Sequence, residues 1–288
     1  MAETAYQKIT ISERLPSPSG TALKLIQLAR DESTSMDAVI RCVYSDPALT
    51  VQLLKMANSP LNATSSKVGS VATAVRLLGL AKVKQAALSF SLTASHRAGQ
   101  CKAFDYDRFW SESLARSVSA RYLAEKFKLY SPDEAFVCGL LSRIGKLALA
   151  CVFPNEYEAL CDIKDDAELR SRERQSFGLD NSDMNAQLTR SWGMPEQHVL
   201  GVRHQHEPNA ADSELDTDAY ALASLLHLSG KIASALLSKI NDAQMIGSLC
   251  DHRPLTGMSN EAVEALLVQI ATEWAANGKL FAIKCDPC

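Results

Sequence analysis

The sequence predicts an all-α fold, and three observations carry that expectation. Apolar residues recur at three- and four-residue spacing along most of the 288 residues. Strand-type alternation is almost absent, and the β-branched residues are scattered. The punctuation is helical, with Ser, Asp or Pro opening the apolar stripes and Gly or Pro closing them.

The elements follow in order. After Pro16 and Pro18, "SGTALKLIQLARD" puts Ala22, Leu25, Ile26 and Ala29 on one helix face. In "SMDAVIRCVYS", Ser35 is the expected N-cap and Asp37 lies in the first turn. "DPALTVQLLKMANSP" has Asp46 as cap, Pro47 at the first helical position and Pro60 beyond its end. Its Asn58 and Ser59 are expected to close the helix end and shape the connector rather than touch a ligand. Ser70 caps "VATAVRLLG", Gly79 closes it, and "LAKVKQAALSFSLTASH" makes a fifth helix.

A boundary falls near "RAGQCKAFD". Beyond it, "DYDRFWSESLARSVSARYLAEKF" and "SPDEAFVCGLLSRIGKLALACVF" read as helical patterns, the second opened by a capping box of Ser131 and Glu134 with Pro132 first. Further helices are predicted over 155–164, 166–177, 182–192, 195–206, 217–239 and 259–277. The most polar stretch, "DIKDDAELRSRERQ", reads as a solvated helix. In "NEAVEALLVQIATEWAANG", Val263, Leu266, Leu267, Ile270 and Trp274 keep helical spacing, which predicts a helix packed on the core.

Composition narrows the function classes. Hydrophobic residues are 47% and charged residues 22%, as in ordinary globular proteins. A net charge of −3 argues against a mainly electrostatic nucleic-acid binder. No apolar run reaches about 18 residues and the N-terminus is not basic-then-apolar, so no membrane association is expected and the expected compartment is the cytoplasm. The eight cysteines mostly sit in apolar helical patterns, which suits free thiols rather than a disulfide framework. Cys285-x-x-Cys288 has metal-like spacing but lacks a second pair of ligands. There is no Walker A pattern, no HExxH, no GxSxG and no GxGxxG after a strand.

The order of landmarks resembles the HDOD family, bacterial signalling modules distantly related to HD-domain metal phosphohydrolases. The residues that carry the resemblance are "LPSPSGTALKLIQLA", "SDPALTVQLLKMANSP", "VATAVRLLGLAKVKQAAL", "FWSESLA", "DEAFVCGLLSRIGKLAL", "FGLDNSD", "WGMPEQHVLGVRHQHEP" and "LLHLSGKIA". They imply a module over 12–233, with an N-terminal half of about 12–97, an HD-like half of about 104–233, and a C-terminal helical extension over 234–288. The resemblance implies a regulatory role without a fixed ligand.

In the HD enzymes, a His, a His-Asp pair, further His residues and a late Asp converge on one or two cations. The matching positions here are Glu112, the pair Ser142-Arg143, Asn181, His204 and Ser229. A guanidinium stays protonated and cannot ligate a cation, so Arg143 puts a fixed positive charge where the ion would sit. No metal and no cofactor is therefore expected. Two readings of Arg143 stand open. It pairs with Glu112 across two helices, or it joins Lys146, three residues on, and His204 in an anion pocket for a nucleotide messenger. The expected function is a non-catalytic signalling module that binds a signalling protein, with a nucleotide messenger as a further ligand. The alternative is a divergent metal-dependent phosphohydrolase using Glu112 and His204.

Overall fold

The structure, a computed structural model, describes residues 12, 15–28, 34–59, 62, 67–211, 215–238, 243–252 and 254–285. Among them there is no strand, and the all-α expectation holds. The chain forms two compact units, one of residues 17–97 with 279–283, the other of 1–16, 98–278 and 284–288.

The smaller unit is built from α1 (Gly20–Leu28), α2 (Met36–Tyr44), α3 (Pro47–Ala57) and α4 (Val71–Ser95). Ser35, Asp46 and Ser70 each accept a hydrogen bond from a first-turn amide, as the sequence predicts. Ala22, Leu25 and Ile26 are buried, while Ala29 and Pro60 lie outside the described residues. Gly79 separates two helical stretches of α4 with φ 77°, a conformation open to glycine at little strain. Asn58 caps the end of α3 and then clasps the returning chain. Its amide nitrogen donates to Leu54 O (2.8 Å) and Val68 O (2.9 Å), and its oxygen accepts from Val68 N (2.8 Å).

The larger unit contains α5 (Tyr106–Phe127), α6 (Pro132–Leu141), α7 (Ile144–Val152), the short α8 (Pro154–Glu158), α9 (Asp166–Phe177), α10 (Asn181–Ser191), α11 (Glu196–Arg203), α12 (Thr217–Leu237), α13 (Ala243–Cys250) and most of α14 (Asn260–Phe281). Helix α5 packs against α6 and α12, and α10 against α7 and α11. Trp110 and Trp192 are buried in this packing. On α14, Val263, Leu266, Leu267, Ile270 and Trp274 are all buried, and Trp274 Nε1 donates to Ser111 O on α5 at 3.1 Å.

Several local expectations need correction. The segment 132–152 is two helices, broken at Ser142-Arg143. Ser131 has extended N-cap geometry, but its side chain makes no cap hydrogen bond. The capping box lies instead at Asp180 and Asp183, where α10 begins. The predicted helix 155–164 ends at Glu158 because the following amides reach back three residues, not four. Helix α13 was missed. Pro132–Val152 and Thr217–Leu237 are long and apolar enough to cross a membrane by length and composition alone, and both are mostly buried within the protein.

Two glycines fix how closely these helices approach. A Cβ on Gly139 would lie 2.7 Å from Ser117 Cα on α5, and one on Gly145 would lie 2.1 Å from Asn181 O on α10. Both distances are far inside van der Waals contact, so backbone meets backbone at each crossing. These crossings set the positions of Ser142 and Arg143 between them.

Candidate functional site

Helix α6 stops at Leu141, and the chain turns through Ser142 and Arg143 before α7 begins. The turn is held from two sides. Ser142 O accepts from Asn185 Nδ2 of α10 and from Gln205 Nε2, each at 2.6 Å. The Ser142 hydroxyl donates to Gly139 O, so it faces its own helix. Arg143 is the residue just before α7, and Lys146 is in the first turn. Arg143 thus stands just outside the helix proper, yet the Lys146 charge still acts on Arg143 and Glu112.

Arg143 is buried, and both its outer nitrogens donate to the Asp166 carboxylate, at 2.8 Å each. Its Nε lies 3.9 Å from Glu112 Oε1 and makes no hydrogen bond. Glu112 instead accepts from Arg116 Nε at 3.0 Å, one turn along α5. Arg116 is also buried, and donates to Gln205 Oε1 at 3.2 Å. Its guanidinium lies against Gly230, where an added Cβ would come within 2.8 Å of it. The centre of the unit is thus two buried guanidiniums and two carboxylates, joined through Gln205 to the Ser142 carbonyl.

The charges adjust to this arrangement. Burial opposes ionisation of Asp166, but the Arg143 charge and its two hydrogen bonds hold the carboxyl well below its ordinary range. Burial weakens the Arg143 charge, and the Asp166 and Glu112 carboxylates more than restore it. Lys146 is pushed down by burial and by Arg143. His206, whose Nδ1 is 3.9 Å from Asp166 Oδ2, is held well below its ordinary value by burial first and Arg143 second.

The other positions do different work. Asn181 donates through its backbone amide (2.8 Å) and its side-chain amide (2.6 Å) to Glu173 Oε2. Glu173 is fully buried and also accepts from Tyr157 Oη at 2.6 Å. Burial raises its pKa, and these three donors hold the rise back. The Ser229 hydroxyl donates to Leu225 O of its own helix, and His204 caps the end of α11. The structure therefore gathers Glu112, Ser142, Arg143 and Lys146, and gives Asn181, His204 and Ser229 local roles.

Sequence reasoning missed Asp166, Arg116, Gln205 and Glu173. Arg116 had a signal, the four-residue spacing from Glu112. Asp166 and Glu173 lie on the helix read as solvated, and nothing local in that stretch marks Asp166 as the partner of a buried guanidinium or Glu173 as buried.

These residues do not fit a divalent cation. Arg143 occupies the centre, Asp166 is engaged by it, and the Asn181 amide is turned to Glu173. Among the described residues, no three His, Cys, Asp or Glu side chains are placed to hold a metal.

Comparison with known proteins agrees with the architecture. An uncharacterised protein of Treponema pallidum (strain Nichols) is 21% identical over 243 residues, 80% of this chain but only 46% of that protein. The crystal structure of the MmoQ response regulator from Methylococcus capsulatus is 32% identical, with TM-score 0.52, over 88% of this chain and 97% of that one. An HDOD domain protein from Geobacter sulfurreducens superposes with TM-score 0.76 at 19% identity, over 97% of each chain. A Shewanella amazonensis protein described as a candidate phosphohydrolase gives 0.75 at 24%, over 97% of this chain and 98% of that one. The last two likenesses speak to fold alone. The HDOD domain profile matches residues 15–208. The chain belongs to the HDOD family.

Proposed function

We propose that this chain is a signal-transduction module that works by binding a signalling protein and carries out no metal-dependent phosphohydrolysis. One observation carries the reading. Where the related hydrolases need a His-Asp pair, Arg143 is buried and both outer nitrogens are committed to Asp166. A guanidinium cannot be a ligand, and its charge repels a cation. The name of the 32%-identical relative, a response regulator, fits a place in signalling. A bacterial cytoplasmic setting fits cysteines that lie mostly in apolar helical patterns and the bacterial sources of the relatives.

A nucleotide messenger at Arg143 is the weaker form of the same proposal, because Asp166 must first leave the guanidinium. Under that form, Arg143→Ala abolishes messenger binding while the fold is kept.

The deciding experiment is elemental analysis of untagged protein, combined with an assay of phosphodiester turnover in added Mn²⁺. The expected result is substoichiometric metal and no turnover. One equivalent of iron, manganese or zinc with turnover overturns the proposal and makes the chain a divergent phosphohydrolase.

A further inference from the structure

Three thiols that the site above does not use lie together in the larger unit. Cys101 is fully buried in the segment leading to α5. Cys161 is half-buried in the turn after α8, and its Sγ is 4.0 Å from Cys101 Sγ. Cys151, near the end of α7, is close enough to Cys101 for their charges to interact.

The 4.0 Å pair is held on both sides. Lys102 N donates to Glu158 Oε1 at 2.9 Å, so the residue after Cys101 is tied to the helix before Cys161. Cys161 Sγ donates to Tyr157 O at 3.4 Å, and the Phe104 and Tyr157 rings lie 6.3 Å apart. A disulfide needs its sulfurs about 2.05 Å apart. Closing the gap takes about 2 Å of sulfur movement, between backbone segments already side by side.

We propose that Cys101 and Cys161 form a reversible disulfide when the protein meets a hydroperoxide, making this a redox-responsive site. The half-buried Cys161 meets the oxidant first. Its thiolate attacks a peroxide oxygen, the O–O bond breaks, and the leaving oxygen departs as water (or alcohol) after protonation. Cys161 is then a sulfenic acid. The Cys101 thiolate attacks that sulfur, the S–S bond forms, the S–O bond breaks, and a second water leaves. Two thiols lose two protons and two electrons, and one hydroperoxide is reduced. Burial raises both thiols, and the neighbouring Cys101 raises Cys161 further, so each is mostly protonated at neutral pH and the oxidation is slow.

The position gives the bond a consequence. Cys161 is five residues before Asp166, the partner of Arg143, and four after Tyr157, which donates to Glu173. A bond at Cys161 therefore anchors the segment that delivers Asp166 to the buried pair.

The test is peptide mass spectrometry of the full chain, before and after hydrogen peroxide, with dithiothreitol reversal. The expected result is a Cys101–Cys161 linked peptide, lighter by two hydrogens, that is lost on reduction and absent from Cys161→Ser. Cys151→Ser retains it. Because Cys161 is only half-buried, Cys161→Ser tests the link even if Cys101→Ser fails to fold. Absence of the linked peptide in oxidised wild-type protein, or a link to Cys151 in its place, overturns the proposal. Hydrogen exchange over residues 159–169 reads the coupling. It is expected to slow in the oxidised protein, and unchanged exchange refutes the link to Asp166.

Discussion

Replacing Asp166 by Ala tests the central pair most directly. The substitution removes two hydrogen bonds of 2.8 Å to a guanidinium whose side chain is only 5% exposed. Hydrogen bonds to charged groups contribute about 1.5–3 kcal/mol each, and stripping a partner from a fully buried ion pair costs about 3–5 kcal/mol. The Asp166 side chain is 41% exposed, so water recovers part of the loss on its side. Glu112, 3.9 Å from Arg143, softens it further. The expected destabilisation is about 2 kcal/mol, which for a unit of this size lowers the melting temperature by about 4–8 °C. Urea unfolding of wild type, Asp166→Ala, Arg143→Met and the double variant gives the coupling energy. It is expected near 2 kcal/mol, while the Glu112–Arg143 coupling should fall below about 1 kcal/mol. If the Asp166–Arg143 coupling is under about 0.5 kcal/mol, or the Glu112 coupling is the larger, the account of this pair fails.

Other expectations follow from the same geometry. Gly145→Ala forces a Cβ to within 2.1 Å of the Asn181 carbonyl, a backbone atom that cannot swing away, and should cost about 3 kcal/mol or leave the protein insoluble. Gly230→Ala meets only the end of the Arg116 side chain and should cost about 1–2 kcal/mol by the same urea titration. Stability should fall on acidification in two stages. Folded His206 stays neutral while the unfolded chain takes up a proton near pH 6.5, so its contribution is complete above that pH and shrinks below it. Folded Asp166 stays ionised below about pH 4, where the unfolded residue protonates, so its contribution is present above that pH and lost as the pH falls further. His96, His227 and His252 are lowered by burial too and act in the same window, so His206→Gln should reduce the slope between about pH 7 and 5 without abolishing it and leave the second stage; an unchanged slope refutes the role given to His206.

Much of the fold was legible because its signals are local. Ser35, Asp46 and Ser70 cap their helices where a short polar side chain precedes an apolar stripe, and each bond closes within three residues of sequence. Asn58 was read correctly as a connector residue, although the strand of backbone it clasps, at Val68, was not foreseen. The break at Ser142-Arg143 escaped notice because both flanking stretches are apolar in a continuous helical rhythm. Only the packing against Asn185 and Gln205 supplies the carbonyl partners that let the helix stop there.

The sequence by itself determined the all-helical class, most helix starts, and the presence of a guanidinium, Arg143, in the middle of an apolar helical stretch. Those are properties of neighbouring residues and of side-chain chemistry, and a guanidinium cannot bind a cation in any fold. The tertiary structure alone decided what Arg143 holds. Asp166 lies 23 residues away on a helix whose composition is polar, and only the tertiary fold brings the carboxylate to 2.8 Å from the guanidinium. Beyond the reach of one helical turn, ion-pair choice depends on distance and desolvation, which belong to the folded arrangement and leave no trace in residue spacing.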